Sequence, residues 1–304
     1  MSDQDHVIRF SGITKAFGET RALQDVSFTV QPGEVVGFVG PNGAGKTTAI
    51  STMLGFLRPS SGEVTLFTTQ KVTPASAHLT HDKIGYCAGD MALFDNLTGK
   101  QYLEFHAHRF GMDKEIQRRL ISKLQPQLHA KLRTLSRGNR QKVALVAALQ
   151  HNPELIVLDE PTSGLDPLMQ ETFMDIIREE AKRGATVFMS SHILSEVAEV
   201  CSRVLFMKAG KIVTDEATSD IKERAGKLVH LKVHAKERDT IKKILPPQTA
   251  VVEETDSVLS LRYDGDIHQL MRWLIGKRFT DLTIEDRQLD DIFRDLYRDE
   301  EVRS

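Results

Sequence analysis

The chain has 304 residues, 40% of them hydrophobic, enough for a full core and a second, smaller domain. Forty Lys and Arg stand against 42 Asp and Glu, a formal net charge of -2, so no global field favours nucleic acid or an anionic membrane surface. Its two cysteines, Cys87 and Cys201, lie far apart without CxxC or Cys/His metal spacing, and no apolar run approaches the ~20 residues that span a bilayer.

The N-terminus, MSDQDHVIRF, is polar and acidic and lacks a signal-peptide pattern, so the expectation is a protein that stays inside the cell. Residues 7–40 alternate short apolar runs with turns: VIRF, VSFTV, QPGE, then VVGFVG. The last run is nearly all apolar, as in a strand buried on both faces of a parallel sheet. TTAISTMLGFL reads as a helix, and from about 98 to 150 the apolar residues recur at helical spacing, which predicts a helical insert. PELIVLDEP then reads as a second buried strand, a helix is predicted near 167–183, and ATVFMSSH reads as a third buried strand. Such alternation implies a doubly wound α/β core.

After about 220 the strands become half-buried and alternating. LVHLKVH, TAVVEE, VLSLRY and FTDLTIE read as strands, ERDTIKKIL and IHQLMRWLIGK as helices, and QLDDIFRDLY as a closing helix. The order βαββαβ predicts a small ferredoxin-like module. The expected division is therefore 1–220, with a helical subdomain at about 90–150, and an accessory α+β domain at 221–304.

The strongest local signal is GPNGAGKT, residues Gly40, Pro41, Asn42, Gly43, Ala44, Gly45, Lys46 and Thr47, followed by Thr48. It fits GxxxxGK[ST] in the required strand, loop, helix context. Gly40, Gly43 and Gly45 let successive N–H groups converge on one phosphate, Lys46 adds a point charge, and Thr47 offers a hydroxyl to Mg²⁺. A Gly-rich turn with no ligand is the alternative, and the correct flanks argue against it. LIVLDEP adds two carboxylates at a strand end: Asp159 as a partner of Mg²⁺ and Glu160 as the group that polarises an attacking water. An Asp-Glu pair alone is usually a solvated turn; a buried strand before it and a phosphate loop upstream reverse that reading. In LSRGNRQKVALVAAL, Ser136 and Gly138 precede a helical run, so they mark either an ordinary cap or an anion site at a helix start.

In this order, GPNGAGKT, LSRGNRQKV, LIVLDEP, SGLD and SSH resemble the nucleotide-binding subunit of ATP-binding cassette (ABC) transporters, over roughly residues 6–218. The resemblance implies an α/β P-loop NTPase core that binds and hydrolyses ATP with Mg²⁺. It matches Phe17 to the aromatic residue that stacks on adenine, Ser136 and Gly138 to the signature motif LSGGQ, Asp166 to the D-loop, and His192 to the switch histidine at the γ-phosphate. By residue type alone, Phe17 is as readily core, His192 a structural histidine, and Asp166 the N-cap of a helix that begins with Pro167. The family closes head to tail as a dimer, each signature completing the opposite subunit's site, and works with an integral membrane permease. That implies a peripheral place on the cytoplasmic face of the membrane, with a homodimer favoured over pairing with a sister subunit.

Two features depart from the pattern, and a third narrows the resemblance. The signature reads LSRGN, so Arg137 replaces a Gly and Asn139 a Gln, and the added guanidinium is compatible with a triphosphate nearby. Gly89 stands where the family has a Gln that reaches the metal and water, which leaves Asp90 or water in that role. The closing QLDDIFRDLYRD resembles exporters of the ABC-2 type, and SRGNRQKV and DEPTSGLDPLMQ look most like antibiotic and multidrug members. The competing class, a soluble ABC ATPase acting on ribosomes or nucleic acid, finds no basic footprint here, so no nucleic-acid partner is expected.

Overall fold

In the computed structural model, the described residues are 5–89, 93–224, 226–255 and 257–287. Alternation of apolar and polar residues makes β1 (Ile8–Phe17) and β2 (Thr20–Val30) an antiparallel hairpin, with β4 (Ser61–Leu66) and β5 (Gln70–Lys71) extending its sheet in the order β2-β1-β4-β5. Between them in sequence come β3 (Val35–Val39) and α1 (Lys46–Met53). After β5 the chain runs through β6 (Ile84–Cys87) into the helical segment α2 (Gly99–Phe110), α3 (Lys114–Leu124) and α4 (Arg137–Leu149). It returns through β7 (Leu155–Asp159), α5 (Pro167–Lys182), β8 (Thr186–Ser191), α6 (Leu194–Ala198), β9 (Arg203–Lys208) and β10 (Lys211–Ala217).

The second sheet has the order β10-β9-β3-β8-β7-β6, with β9, β3, β8, β7 and β6 mutually parallel along it. Strands β3, β7 and β8 are buried at every position, as their unbroken apolar runs predict. The first strands of the chain stay outside this sheet. They lie over it through phenylalanines: Phe10 stacks on Phe28 at 4.5 Å between centroids, and Phe28 meets Phe188 at 5.8 Å and Phe38 at 6.2 Å. Each such side chain contributes roughly 2–3 kcal/mol by burial.

The helical segment is set by its caps. Thr98 and Gln101 form a capping box on α2, Asp113 accepts from Glu115 and Ile116 N–H at α3, and Ser136 caps α4. An ion cluster ties α3 to α5: Glu180, 0% exposed, is held by Arg119 and Arg183, with Arg183 Nε at 3.0 Å, while Lys123 pairs with Glu179.

The chain divides into two compact units, Met1–Glu216 and Ala217–Ser304. The second holds α7 (Thr218–Arg224), β11 (Lys227–Lys232), α8 (Ala235–Lys242), β12 (Thr249–Glu254), β13 (Val258–Tyr263), α9 (Ile267–Leu274) and β14 (Asp281–Asp286). From β11 onward this is βαββαβ, and the antiparallel sheet order β12-β13-β11-β14 is that of a ferredoxin-like module. Its core is Val229, Leu231, Leu259, Leu261, Tyr263, Leu270 and Leu274. The closing helix read in QLDDIFRDLY lies outside the described residues.

Candidate functional site

Strand β3 delivers the chain to Gly40, and the loop curls so that α1 begins at Lys46. Two glycines in it are required by close approach. A Cβ at Gly40 would lie 2.2 Å from the carbonyl oxygen of Met207, and one at Gly45, where φ is +108°, 2.4 Å from that of Ala22. Backbone bonds continue this anchoring: Gly210 N–H donates to Ala44 O at 2.9 Å, and Gln24 N–H to Gly210 O at 2.8 Å. The loop is thus fixed to β2 of one sheet and to the β9–β10 turn of the other.

Lys46 is 5% exposed, and its Nζ donates to Gly40 O at 2.7 Å and Pro41 O at 3.2 Å. It also lies 3.5 Å from Glu160 Oε1. Asn42 and Gly43 are exposed at the loop tip, Ala44 is buried beneath it, and Thr48 is half-buried on α1. Thr47 reaches across the sheet, its Oγ1 donating to Asp159 Oδ2 at 2.9 Å.

The carboxylates diverge although adjacent. Asp159, 4% exposed at the end of β7, accepts from Thr47 and, through Oδ1, from Ser190 Oγ at 2.5 Å. Glu160 takes a left-handed φ of +47°, which costs roughly 1–3 kcal/mol for a residue of its type. Its N–H, donating to Ser190 O at 3.2 Å and to Ser190 Oγ at 3.0 Å, holds that conformation. The turn aims the Glu160 side chain between Lys46 and His192, whose Nδ1 lies 3.2 Å from Glu160 Oε2. Chemically this is a cradle of loop N–H groups and one ammonium for a polyphosphate, two hard oxygens, and a half-buried carboxylate able to polarise water.

Phe17, Ser136, Gly138 and Asp166 stand apart from this group, and among the described residues no hydrogen bond or ion pair joins them to it. Phe17 is 49% exposed near the tip of the β1–β2 hairpin, with Lys15 Nζ 4.9 Å from its ring centre. Ser136 Oγ accepts from Asn139 N–H at 3.3 Å, and Asp166 Oδ1 caps α5 through Met169 N–H at 3.0 Å. Arg137, whose guanidinium is compatible with a triphosphate nearby, donates to Ser163 Oγ of its own chain at 2.9 Å. Gly89 backs onto the site: a Cβ there would lie 2.8 Å from Asp159 O. Asp90 lies outside the described residues.

Sequence reasoning missed two supporting residues. Ser190 is buried and carries both carboxylate-bearing residues, yet in SSH it reads only as the approach to His192. Gln141, 1% exposed, donates to Pro161 O at 2.9 Å and so ties α4 to the turn after Glu160. A polar residue at a buried position of α4 was the available signal. Both cysteines are buried, and burial pushes the Cys87 thiol up to about 12 and raises that of Cys201 as well, which disfavours the thiolate.

Comparison with known proteins identifies the arrangement. The ABC transporter family profile matches residues 23–163. An uncharacterised ABC transporter ATP-binding protein of Methanocaldococcus jannaschii, MJ1023, is 32% identical over 86% of this chain and 97% of its own length. The probable multidrug ABC transporter ATP-binding protein YbhF of Escherichia coli is 34% identical over 72% of this chain and 38% of its own. The chain spans only 22% to 38% of the longer curated relatives it matches. The dimeric structure of a post-hydrolysis state of the ATP-binding cassette MJ0796, bound to ADP and Pi, superposes with a TM-score of 0.63 at 25% identity, covering 69% of this chain and 98% of that one. With its phosphate loop, its paired strand-end carboxylates and these relatives, the chain belongs to the family of ABC transporter ATP-binding proteins and is an ATPase of that fold.

Proposed function

We propose that the chain powers export of a substrate across a membrane, as the ATPase subunit of a transporter whose permease is a separate chain. The observation that carries this reading is the convergence of Lys46, Asp159, Glu160 and His192 on the loop 40–47. In it, Lys46 Nζ exchanges its bonds to Gly40 O and Pro41 O for β- and γ-phosphate oxygens, which releases Glu160 from its pairing. Glu160 then orients a water through a hydrogen bond and draws off proton density as the water oxygen attacks the γ-phosphorus. The bond to the β–γ bridging oxygen breaks, giving ADP and phosphate. His192, beside Glu160, meets the γ-phosphate.

Thr47 Oγ1 and Asp159 Oδ2 are the oxygens that would hold Mg²⁺, and they suit it: two hard donors, with no cluster of three or more His, Cys, Asp or Glu among the described residues to make a stand-alone metal cage. When bound, Mg²⁺ would neutralise charge developing on the phosphates. Ser136 and Gly138, at the capped start of α4, would face the γ-phosphate held by a second copy of the chain, with Asp166 beside them and Phe17 under the adenine.

Among the described residues, no helix is long and apolar enough to cross a membrane. The reading pairs the chain with a membrane-spanning partner at the cytoplasmic face. The surface for it is a cavity of about 300 Å³ lined in part by Phe56, Tyr86, Tyr102, His106, Phe110 and His151. Phe56, Phe94 and Phe105 remain exposed around this region, an apolar area suited to a helix of the permease. The probable multidrug name of YbhF supports export of a drug-like cargo. Glu160→Gln is the test. It should bind ATP, hold an ATP dimer and lose turnover by about a hundredfold or more; unchanged turnover overturns the assignment.

A further inference from the structure

We propose that Arg137 is a positioning residue that fastens the start of α4 to the β7–α5 loop of its own chain, so that both segments meet a facing subunit's nucleotide as one unit. The inference rests on the dimeric reading given above and assigns a part to the residue that breaks the LSGGQ pattern.

Three contacts build the fastening. Arg137 Nη2 donates to Ser163 Oγ at 2.9 Å. Its methylenes lie along Gly164, where a Cβ would come within 3.1 Å of Arg137 Cδ and 3.2 Å of Cγ, and where φ is +85°. One residue further, Gly138 approaches the same backbone, a Cβ there falling 2.9 Å from Gly164 O. Arg137 and Gly138 thus embrace a single peptide. On either side the two segments are already fixed, α4 by the Ser136 cap and α5 by the Asp166 cap. A glycine at 137 would remove the bond to Ser163 and the methylene packing on Gly164, and would keep the Gly138 contact and the Gln141 bond to Pro161.

The guanidinium is exposed and its partner is a neutral hydroxyl, so in the free subunit the bond is weak. Burial against a second subunit would strengthen it by lowering the local dielectric. The contact therefore acts in the closed dimer and leaves nucleotide binding to loop 40–47 of the same chain untouched. The competing role, in which Arg137 swings away to bind the phosphate itself, predicts different behaviour at Ser163.

The experiment is a double-mutant cycle in the full-length chain with Arg137→Ala, Ser163→Ala and the pair. Three quantities are read: nucleotide affinity at protein concentrations below dimer formation, ATP turnover, and ATP-dependent dimerisation by sedimentation in a Glu160→Gln background. Each single variant is expected to lower turnover and dimerisation about fivefold at unchanged nucleotide affinity, with the pair no worse than Arg137→Ala. A silent Ser163→Ala beside an impaired Arg137→Ala, additive losses, or a silent Arg137→Ala each overturn the proposal. Absence of ATP-dependent dimers in the Glu160→Gln parent sinks the dimeric reading itself and this inference with it. Arg137→Gly, restoring the family residue, guards against misfolding and should reproduce the alanine result.

Discussion

The hydroxyl of Ser190 donates to Asp159 Oδ1 at 2.5 Å, while its oxygen accepts the N–H of Glu160 at 3.0 Å. One buried side chain thus orients the carboxylate that faces Thr47 and steadies the left-handed residue beside it. Ser190→Ala should leave Asp159 Oδ1 without that donor and the N–H of Glu160 bonded to Ser190 O alone. The expected cost is about 1–2 kcal/mol in stability by urea unfolding. Phosphate release should fall about tenfold, and a variant with full turnover would show that Glu160 needs no such support.

Gly89 invites the opposite substitution. Family resemblance asks for Gln, yet a Cβ at this position meets Asp159 O at 2.8 Å, so the side chain enters only if the loop moves. Gly89→Gln is expected to destabilise the fold by about 1–3 kcal/mol and to leave turnover no higher than in the parent. Faster hydrolysis would mean that the loop repositions freely and that a missing amide limits the rate.

Glu180 is fully buried between Arg119 of α3 and Arg183, the C-cap residue of its own helix α5. Removing the α3 partner with Arg119→Leu strands part of that charge. About 3 kcal/mol should be lost, the low end for a broken buried pair because Arg183 stays in place. Denaturant midpoints read the effect, and a loss below about 0.5 kcal/mol would place the cluster among ordinary surface pairs.

His106 supplies a pH dependence. Burial, followed by the neighbouring His151, pushes its pKa down from 6.5 to about 4. The folded chain therefore favours the neutral ring, whereas the unfolded chain takes up a proton near pH 6.5. Its stabilising contribution is complete above pH 6.5 and is lost as pH falls through about 4. Between pH 7 and 5 wild type should lose about 1 kcal/mol more than His106→Phe, a figure discounted for the partial exposure of the ring. Parallel unfolding curves at the two pH values would remove His106 as the source.

Much of the architecture was legible because its signals are local. Unbroken apolar runs marked β3, β7 and β8, helical spacing marked α2 to α4, and the alternating tail yielded βαββαβ in the observed order. The separation of β1, β2, β4 and β5 into their own sheet was not legible, since nothing in a strand's sequence names its neighbour. At the site, the loop and the two carboxylates followed from motif and context. Ser190 and Gln141 did not, because a buried hydroxyl or amide earns its place through partners 30 and 20 residues away. The direction of Arg137 was likewise set by Gly164, a backbone approach that no residue spacing encodes.

The phosphate loop has Met207 on one side and Ala22 on the other, at distances that leave no space for a methyl group. It therefore works as a keystone between two sheets, beside the phenylalanine stacking and the bond from Arg203 Nη1 of β9 to Thr29 O of β2. Polyphosphate pulling on its N–H groups would be felt as tension in β2 and β9 together. Nucleotide occupancy should then be readable as slowed amide exchange at Gln24 and Gly210, whose backbone bonds close the arch. Through that arch the fold would convert a local ionic contact into stiffness of the whole cassette.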